Sequence, residues 1–281
     1  MTSRTDGNRT HGRRTGVLLI HGLCGSPAEL RFVANGLMRA GYDVVCPEVA
    51  GHGGTADLLE ASSWRDWYAS VEAAFDTLSR RCESVIVGGL STGAVLALML
   101  AARRRAEVSG TLLYAPTLWL DGWSIPWYAR LFGLVRHKRV ARLVRFPAAQ
   151  MNGIKDERVR AFVRDAICGA VAARRAPAFT PGAAVLERRW LVRETLRNLN
   201  QVSQPTLIVH PREDDYAGLS NAWHLQRTLP APVDLCVLDD SYHYVTVDRQ
   251  RHVVLDRSLE FLGRIAPSTR TAALDGVRSA A

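Results

Sequence analysis

The pentapeptide Gly89-Leu90-Ser91-Thr92-Gly93 directly follows the aliphatic run SVIVG (84–88) and directly precedes AVLALMLAARRR (94–105), a strong helix former. A serine on a tight strand-to-helix turn needs glycines two before and two after it, because a side chain there would collide with the neighbouring strand and helix. The turn lifts the hydroxyl off the sheet, and the start of the following helix supplies backbone N–H groups and a positive dipole end. The chemistry this suits is acyl transfer, with Ser91 attacking a carbonyl carbon. The bland alternative is a glycine-rich turn, and the strand before it and helix after it argue against that.

Acyl transfer also needs donors for the developing oxyanion, a base and an acid. The string His21-Gly22-Leu23-Cys24-Gly25 ends the first aliphatic run, so the expected oxyanion hole is the backbone N–H of Leu23 with that of Thr92. His21, at a strand end beside a glycine, is expected to prop its loop, as is His52 in Ala50-Gly51-His52-Gly53-Gly54. Cys24 reads as a small apolar side chain.

The base must titrate near neutrality, and His243 in Asp239-Asp240-Ser241-Tyr242-His243 sits between the last expected strand and the last expected helix. The other histidines are less well placed: His11 in the tail, His137 in a basic stretch, His224 within a helix, His252 beyond the loop and His210 ending a strand. The acid is expected among Glu213, Asp214 and Asp215, in the loop after strand 205–210, because the order Ser, Asp, His suits this architecture.

Elements that could position these groups recur along the chain. Short apolar runs lie at 16–21, 42–46, 84–88, 110–115, 205–210 and 233–238, with helix-period segments at 27–40, 62–79, 91–105, 218–229 and 248–264. The alternation predicts an α/β fold with a mostly parallel central sheet and helices on both faces, reactive groups gathering at the strands' carboxyl ends. Between Pro116 and Gln201 the rhythm breaks, with no convincing strand and several helices separated by Pro and Gly. The expected organisation is a core of 16–116 and 202–267, a helical cap insertion at 117–201, and tails at 1–15 and 268–281. Within the cap, 126–146 reads as an amphipathic helix with Tyr128, Leu131, Phe132 and Val135 on one side.

Charge and composition narrow the function. The net +9 over 281 residues is uneven: 117–201 carries 16 basic and 6 acidic side chains, while 16–116 and 202–281 each carry 8 and 10. The positive charge therefore belongs to the cap and not to a nucleic-acid module; it leaves open a weak membrane-surface or anionic-substrate contact. The five cysteines, Cys24, Cys46, Cys82, Cys168 and Cys236, are widely spaced and form no CxxC pair, which predicts neither a disulfide framework nor a zinc site. No export signal and no apolar run of about 20 residues is legible, so a soluble cytoplasmic protein without metal or organic cofactor is expected.

The strings GVLLIHGLCGSPAEL, VAGHGGTADLLEASSWRDWYASVEAAFDTL, VIVGGLSTGAVLALML and LDDSYHYVTVDRQR resemble the small bacterial carboxylesterase and monoacylglycerol lipase branch of the α/β-hydrolases. That branch has an HG loop, a GHG loop followed by a W-x-D-W helix, a GLSMG-type elbow and a final S-x-H-x-x-x-x-D segment, in this order. The resemblance spans 16–116 and 202–264. It implies a catalytic triad of Ser91, Asp214 and His243, with Leu23 and Thr92 as oxyanion hole, and hydrolysis of short- to medium-chain acyl esters such as monoacylglycerols. Register on the loop arginine Arg212 is what selects Asp214; Asp215 is then expected to cap the helix starting near Gly218 or to face solvent. Two departures stand out: Thr92 replaces the usual Met or Leu, and the cap is arginine-rich with Trp119, Trp123 and Trp127. The same triad would also serve a thioesterase, an amidase or an acyltransferase, and the fold alone could serve ligand binding without catalysis.

Overall fold

Six aliphatic runs assemble into one parallel sheet, in the spatial order 43–45, 15–20, 84–90, 108–114, 206–211 and 233–238. The structure, a computed structural model, describes residues 14–125, 127–147, 153–161 and 179–266. The strands are β1 (Thr15–Ile20), β2 (Asp43–Val45), β3 (Ser84–Leu90), β4 (Val108–Tyr114), β7 (Thr206–Pro211) and β8 (Val233–Leu238), with β5 and β6 outside this sheet. Their side chains alternate between two apolar layers, Leu18 and Ile20 toward one and Val17 and Leu19 toward the other. Burial on both faces is why these strands read as unbroken apolar runs.

The first layer holds α2 (Ala56–Ala61), through Leu59, with α3 (Trp64–Ser79) and α4 (Thr92–Arg103), Trp67, Val71 and Phe75 being packed against Val95 and Leu98. The second holds α1 (Arg31–Arg39) and the C-terminal helix Arg251–Ile265, through Val33, Leu37, Val254 and Phe261. Every residue of α4 from Thr92 to Ala101 is buried, as an all-round apolar helix requires. A capping box between Ser63 and Asp66 fixes the start of α3. Sequence order reverses between β1 and β3, so the crevice at their carboxyl ends is flanked by the loop after β1 and the turn carrying Ser91.

The segment expected as a purely helical cap differs in two ways. It contains an antiparallel pair, β5 (Arg145–Pro147) with β6 (Phe179–Pro181), and the stretch read as one amphipathic helix is 3-10 turns at Trp127–Leu134 followed by the single-turn helix α5 (Lys138–Ala141). Phe132 is buried there while Leu131 is 58% exposed, so the expected stripe does not form one face. Three-residue strands paired across more than thirty residues leave no local pattern to read. The second difference is α6 (Gly182–Arg197), which lies on the sheet's helical layer, with Leu191 and Val192 in the α4 cluster. Cys168 and His11, and nearly all of both expected tails, lie outside the described residues. Among the described residues no helix is long and apolar enough to cross a membrane.

Candidate functional site

Ser91 has φ +57° and ψ −114°, a conformation that L residues with a Cβ rarely hold without enforcement. The enforcement is close packing on both sides. A Cβ on Gly89 would lie 2.5 Å from the Ile20 carbonyl oxygen and 2.5 Å from the Gly93 carbonyl carbon; one on Gly93 would lie 2.0 Å from the same Ile20 oxygen. The glycines expected from the motif are therefore required by contact, with α4 pressed against the end of β1. Gly22 lies beside the same turn under no such constraint: a Cβ there would sit 3.6 Å from that of Ser91, an ordinary van der Waals contact.

The loop after β7 brings the acid and the histidine together. Asp214 is 3% exposed, and its Oδ2 and Oδ1 accept from His243 Nδ1 at 2.8 and 3.0 Å. Oδ1 also accepts the Tyr216 and Ala217 backbone N–H groups, both at 2.8 Å, and His210 Nε2 lies 3.5 Å from Oδ2. Burial alone would raise the Asp214 pKa, yet the neighbouring histidines and these bonds hold it below the usual value. The reverse balance acts on His243: burial pulls it down, while the charge and hydrogen bond of Asp214, with Asp215 and Glu29, leave it above the ordinary histidine value. With Nδ1 bound to the carboxylate, Nε2 is the nitrogen able to accept a proton. The ring is flanked by Tyr216 and Tyr244 at 5.0 and 5.7 Å between centroids.

Asp215 departs from expectation. It neither caps a helix nor meets solvent: it is fully buried, and its Oδ1 accepts the His243 backbone N–H at 3.2 Å. Burial pushes its pKa up to about 6. The acceptor near Gly218 is Asp121, which takes Gly218 N at 2.7 Å and Ser220 Oγ at 2.6 Å. Glu213 pairs with Lys155 at 2.9 Å, away from the imidazole.

The loop after β1 is braced as expected. His21 Nε2 accepts the Val49 N–H at 3.1 Å, and burial depresses its pKa to about 4, so it is neutral. His52 stacks edge-on between His21 and Trp67. Cys24, at φ +60°, packs against the apolar core with Sγ 3.7 Å from Thr180 Oγ1, and burial raises its thiol to about 11. Neither the Leu23 nor the Thr92 backbone N–H donates to another described residue. Two such donors near a serine hydroxyl can stabilise an oxyanion. No cluster of potential metal ligands occurs among the described residues.

A profile of the serine aminopeptidase S33 family matches residues 12–250. The chain belongs to that family. It is 29% identical over 252 residues to a thermostable monoacylglycerol lipase of Bacillus sp. (strain H-257), covering 89% of this chain and 91% of that one. It is 23% identical to a carboxylesterase of Bacillus subtilis (strain 168), covering 89% and 92%. Among solved structures, one from work on the metagenome-derived lipolytic enzymes LipS and LipT superposes with a TM-score of 0.75 at 30% identity, covering 90% of this chain and 95% of that chain.

In this S33 member the structure also places around these groups residues that carry little or no signal in the sequence. Thr117 Oγ1 lies 3.2 Å from Ser91 Oγ, the hydrogen bond the structure gives that hydroxyl, and donates to the Ala115 carbonyl at 3.0 Å. Asn221 Oδ1 accepts both Leu118 N and Trp119 N at 2.9 Å, holding the loop that carries Thr117. Glu29 Oε2 accepts the Gly22 N–H at 3.0 Å, bracing the β1 loop from beneath, and burial raises its pKa to about 7. Asp248 is fully buried and accepts the backbone N–H groups of Tyr242, Lys155, Asp156 and Arg249, stitching the His243 loop to residues 153–161. Of these, Asp248 alone carries a sequence signal, as the last residue of the S-x-H-x-x-x-x-D string.

Proposed function

We propose that the protein is a serine carboxylic ester hydrolase that acts on short- to medium-chain acyl esters such as monoacylglycerols through an acyl-enzyme intermediate. The observation that carries this reading is the buried Asp214–His243 pair, at 2.8 Å, on the sheet edge that also presents Ser91 at a strained turn. In this reading the Ser91 hydroxyl leaves Thr117 as substrate enters and gives its proton to His243 Nε2 while attacking the acyl carbonyl. The oxyanion falls between the N–H groups of Leu23 and Thr92. The imidazolium, stabilised by Asp214, then protonates the departing alcohol, and water releases the acid by the same route. The lipase, carboxylesterase and lipolytic names of the relatives support an ester substrate. The family description, an aminopeptidase, keeps amide hydrolysis as the second reading.

A panel of p-nitrophenyl esters of increasing chain length, run beside matched thioesters and anilides, tests the choice. Preference for esters with a maximum at short to medium chains is expected; faster cleavage of anilides than esters would overturn it.

Glu29 gives this mechanism a pH signature. Its carboxylate titrates near 7 when buried and its charge helps hold His243 above the ordinary value. The base must be neutral to act, so activity rises as pH climbs through the His243 pKa. Glu29→Gln keeps an acceptor for Gly22 but removes the charge, and the acid limb of the kcat/KM profile should move to lower pH. A superimposable profile would show that Glu29 does not act on the imidazole.

The cap charge gives another. Arg136, Arg139, Arg142 and Arg145 are exposed and lie among exposed Leu131, Leu134, Val140 and Leu143, a basic and apolar surface suited to anionic substrates or a lipid surface. If the net +10 of 117–201 steers anionic esters, their kcat/KM should fall with added salt while that of neutral esters changes little. Equal salt dependence would leave the arginines the task of keeping the cap hydrated.

A further inference from the structure

The three consecutive charged residues on α6 have different fates. Glu187 is compensated twice, accepting the Trp64 N–H at 3.1 Å and pairing with Lys138 at 2.9 Å. Arg189 donates to the Phe132 carbonyl at 2.8 Å and to that of Val135, tying down the cap turn. Arg188 is only 6% exposed, yet its hydrogen bond among the described residues is a single donation from Nη2 to the Thr117 carbonyl at 2.5 Å. No carboxylate of the described residues lies within ion-pairing distance of it. A guanidinium has five N–H donors in a planar fork, and a buried cation without an anion is costly. Burial lowers its pKa to about 10, which still leaves it charged at neutral pH.

Its position is specific. Thr117 offers its carbonyl to Arg188 and its hydroxyl to Ser91, so one residue separates the guanidinium from the nucleophile. The strand leading into α6 carries Thr180, which touches Cys24 of the oxyanion loop, so the start of α6 and that loop share one wall. Other cations near the His243 loop are already matched: Lys155 with Glu213 and Asp240, Arg249 with Asp240 and Asp156.

We propose that Arg188 forms an anion subsite beside Ser91, where its planar fork takes the carboxylate or phosphate of an anionic ester. The proposal rests on Ser91 being the nucleophile and narrows the substrate to esters bearing a negative group near the scissile bond. The guanidinium supplies the specificity and the cap the attraction from a distance; because Arg188 is buried, its contribution is screened much less by salt.

Two matched pairs of esters test it: p-nitrophenyl hydrogen glutarate against p-nitrophenyl valerate, and 1-butyrylglycerol 3-phosphate against 1-butyrylglycerol. The wild-type protein should favour the anionic member of one pair by about tenfold or more in kcat/KM, as a charge-assisted fork allows. Which pair responds tells a carboxylate on the acyl side from a phosphate on the alcohol side. The preference should survive about 1 M NaCl, where the Debye length is about 3 Å, collapse in Arg188→Met, and persist in part in Arg188→Lys. As a measurement independent of a variant's folding, free glutarate should slow fluorophosphonate labelling of the wild-type protein while glutaramide does not. Neutral esters favoured in both pairs, or a preference unchanged in Arg188→Met, overturns the inference while leaving the esterase reading intact. Hydrolysis of none of the four esters contradicts that reading and removes the ground of this one.

Discussion

Ser91→Ala should lower kcat for ester hydrolysis by at least about 10³-fold while leaving the fold in place. Among the described residues the hydroxyl's one hydrogen bond is to Thr117, and the turn is held by the contacts of Gly89 and Gly93 with β1 and α4, none of which involves the Ser91 side chain. In the proposed mechanism its deletion removes the nucleophile and disturbs the structure little. Steady-state kinetics beside a thermal melt separate the two effects. Retention of more than about a tenth of the activity would contradict the assignment, because a triad without its nucleophile keeps only the contribution of oxyanion hole and binding.

The second large effect belongs to Asp214. Asp214→Asn should lower kcat by about 10² to 10⁴-fold, since an amide at this place can bind the wrong imidazole tautomer and cannot stabilise the imidazolium. It should also move the residual activity's acid limb to lower pH: the carboxylate is what outweighs burial in holding the His243 pKa up, and with it gone burial dominates. Asp215→Asn should cost less than about tenfold, because an amide oxygen can still accept the His243 N–H that Asp215 Oδ1 accepts now. The reverse order of the two variants would move the acid by one position and undo the pairing seen at 2.8 Å.

The neighbouring pair Asp214 and Asp215 shows where sequence reasoning holds and where it stops. That one loop acid would face His243 follows from chain order, and adjacent side chains do diverge, one to Nδ1 and the other to the backbone N–H. That the second would also be buried does not follow, because acidic side chains in loops are usually solvated and only the folded His243 loop supplies its partner. The parallel strands were legible because burial on both faces writes apolar runs into the sequence, and the strand-to-helix turn at Ser91 because its glycines are forced by backbone contact. Thr117, Asn221, Glu29 and Arg188 were not, since each meets a partner 7 to 103 residues away that only the fold brings near, and its residue type is common anywhere. The pairing of β5 with β6 was hidden for the same reason: two three-residue strands leave no periodicity to detect.

The most direct test of the account is covalent labelling of the wild-type protein with a fluorophosphonate, followed by mass spectrometry of the modified peptide. An activated serine attacks phosphorus only when a base takes its proton and the oxyanion is held, so the reagent reads the assembled site and not the choice of substrate. A single adduct on Ser91 is expected, formed rapidly in the wild type and far more slowly in a His243→Ala variant. An unlabelled Ser91, or equal labelling with and without His243, would contradict it.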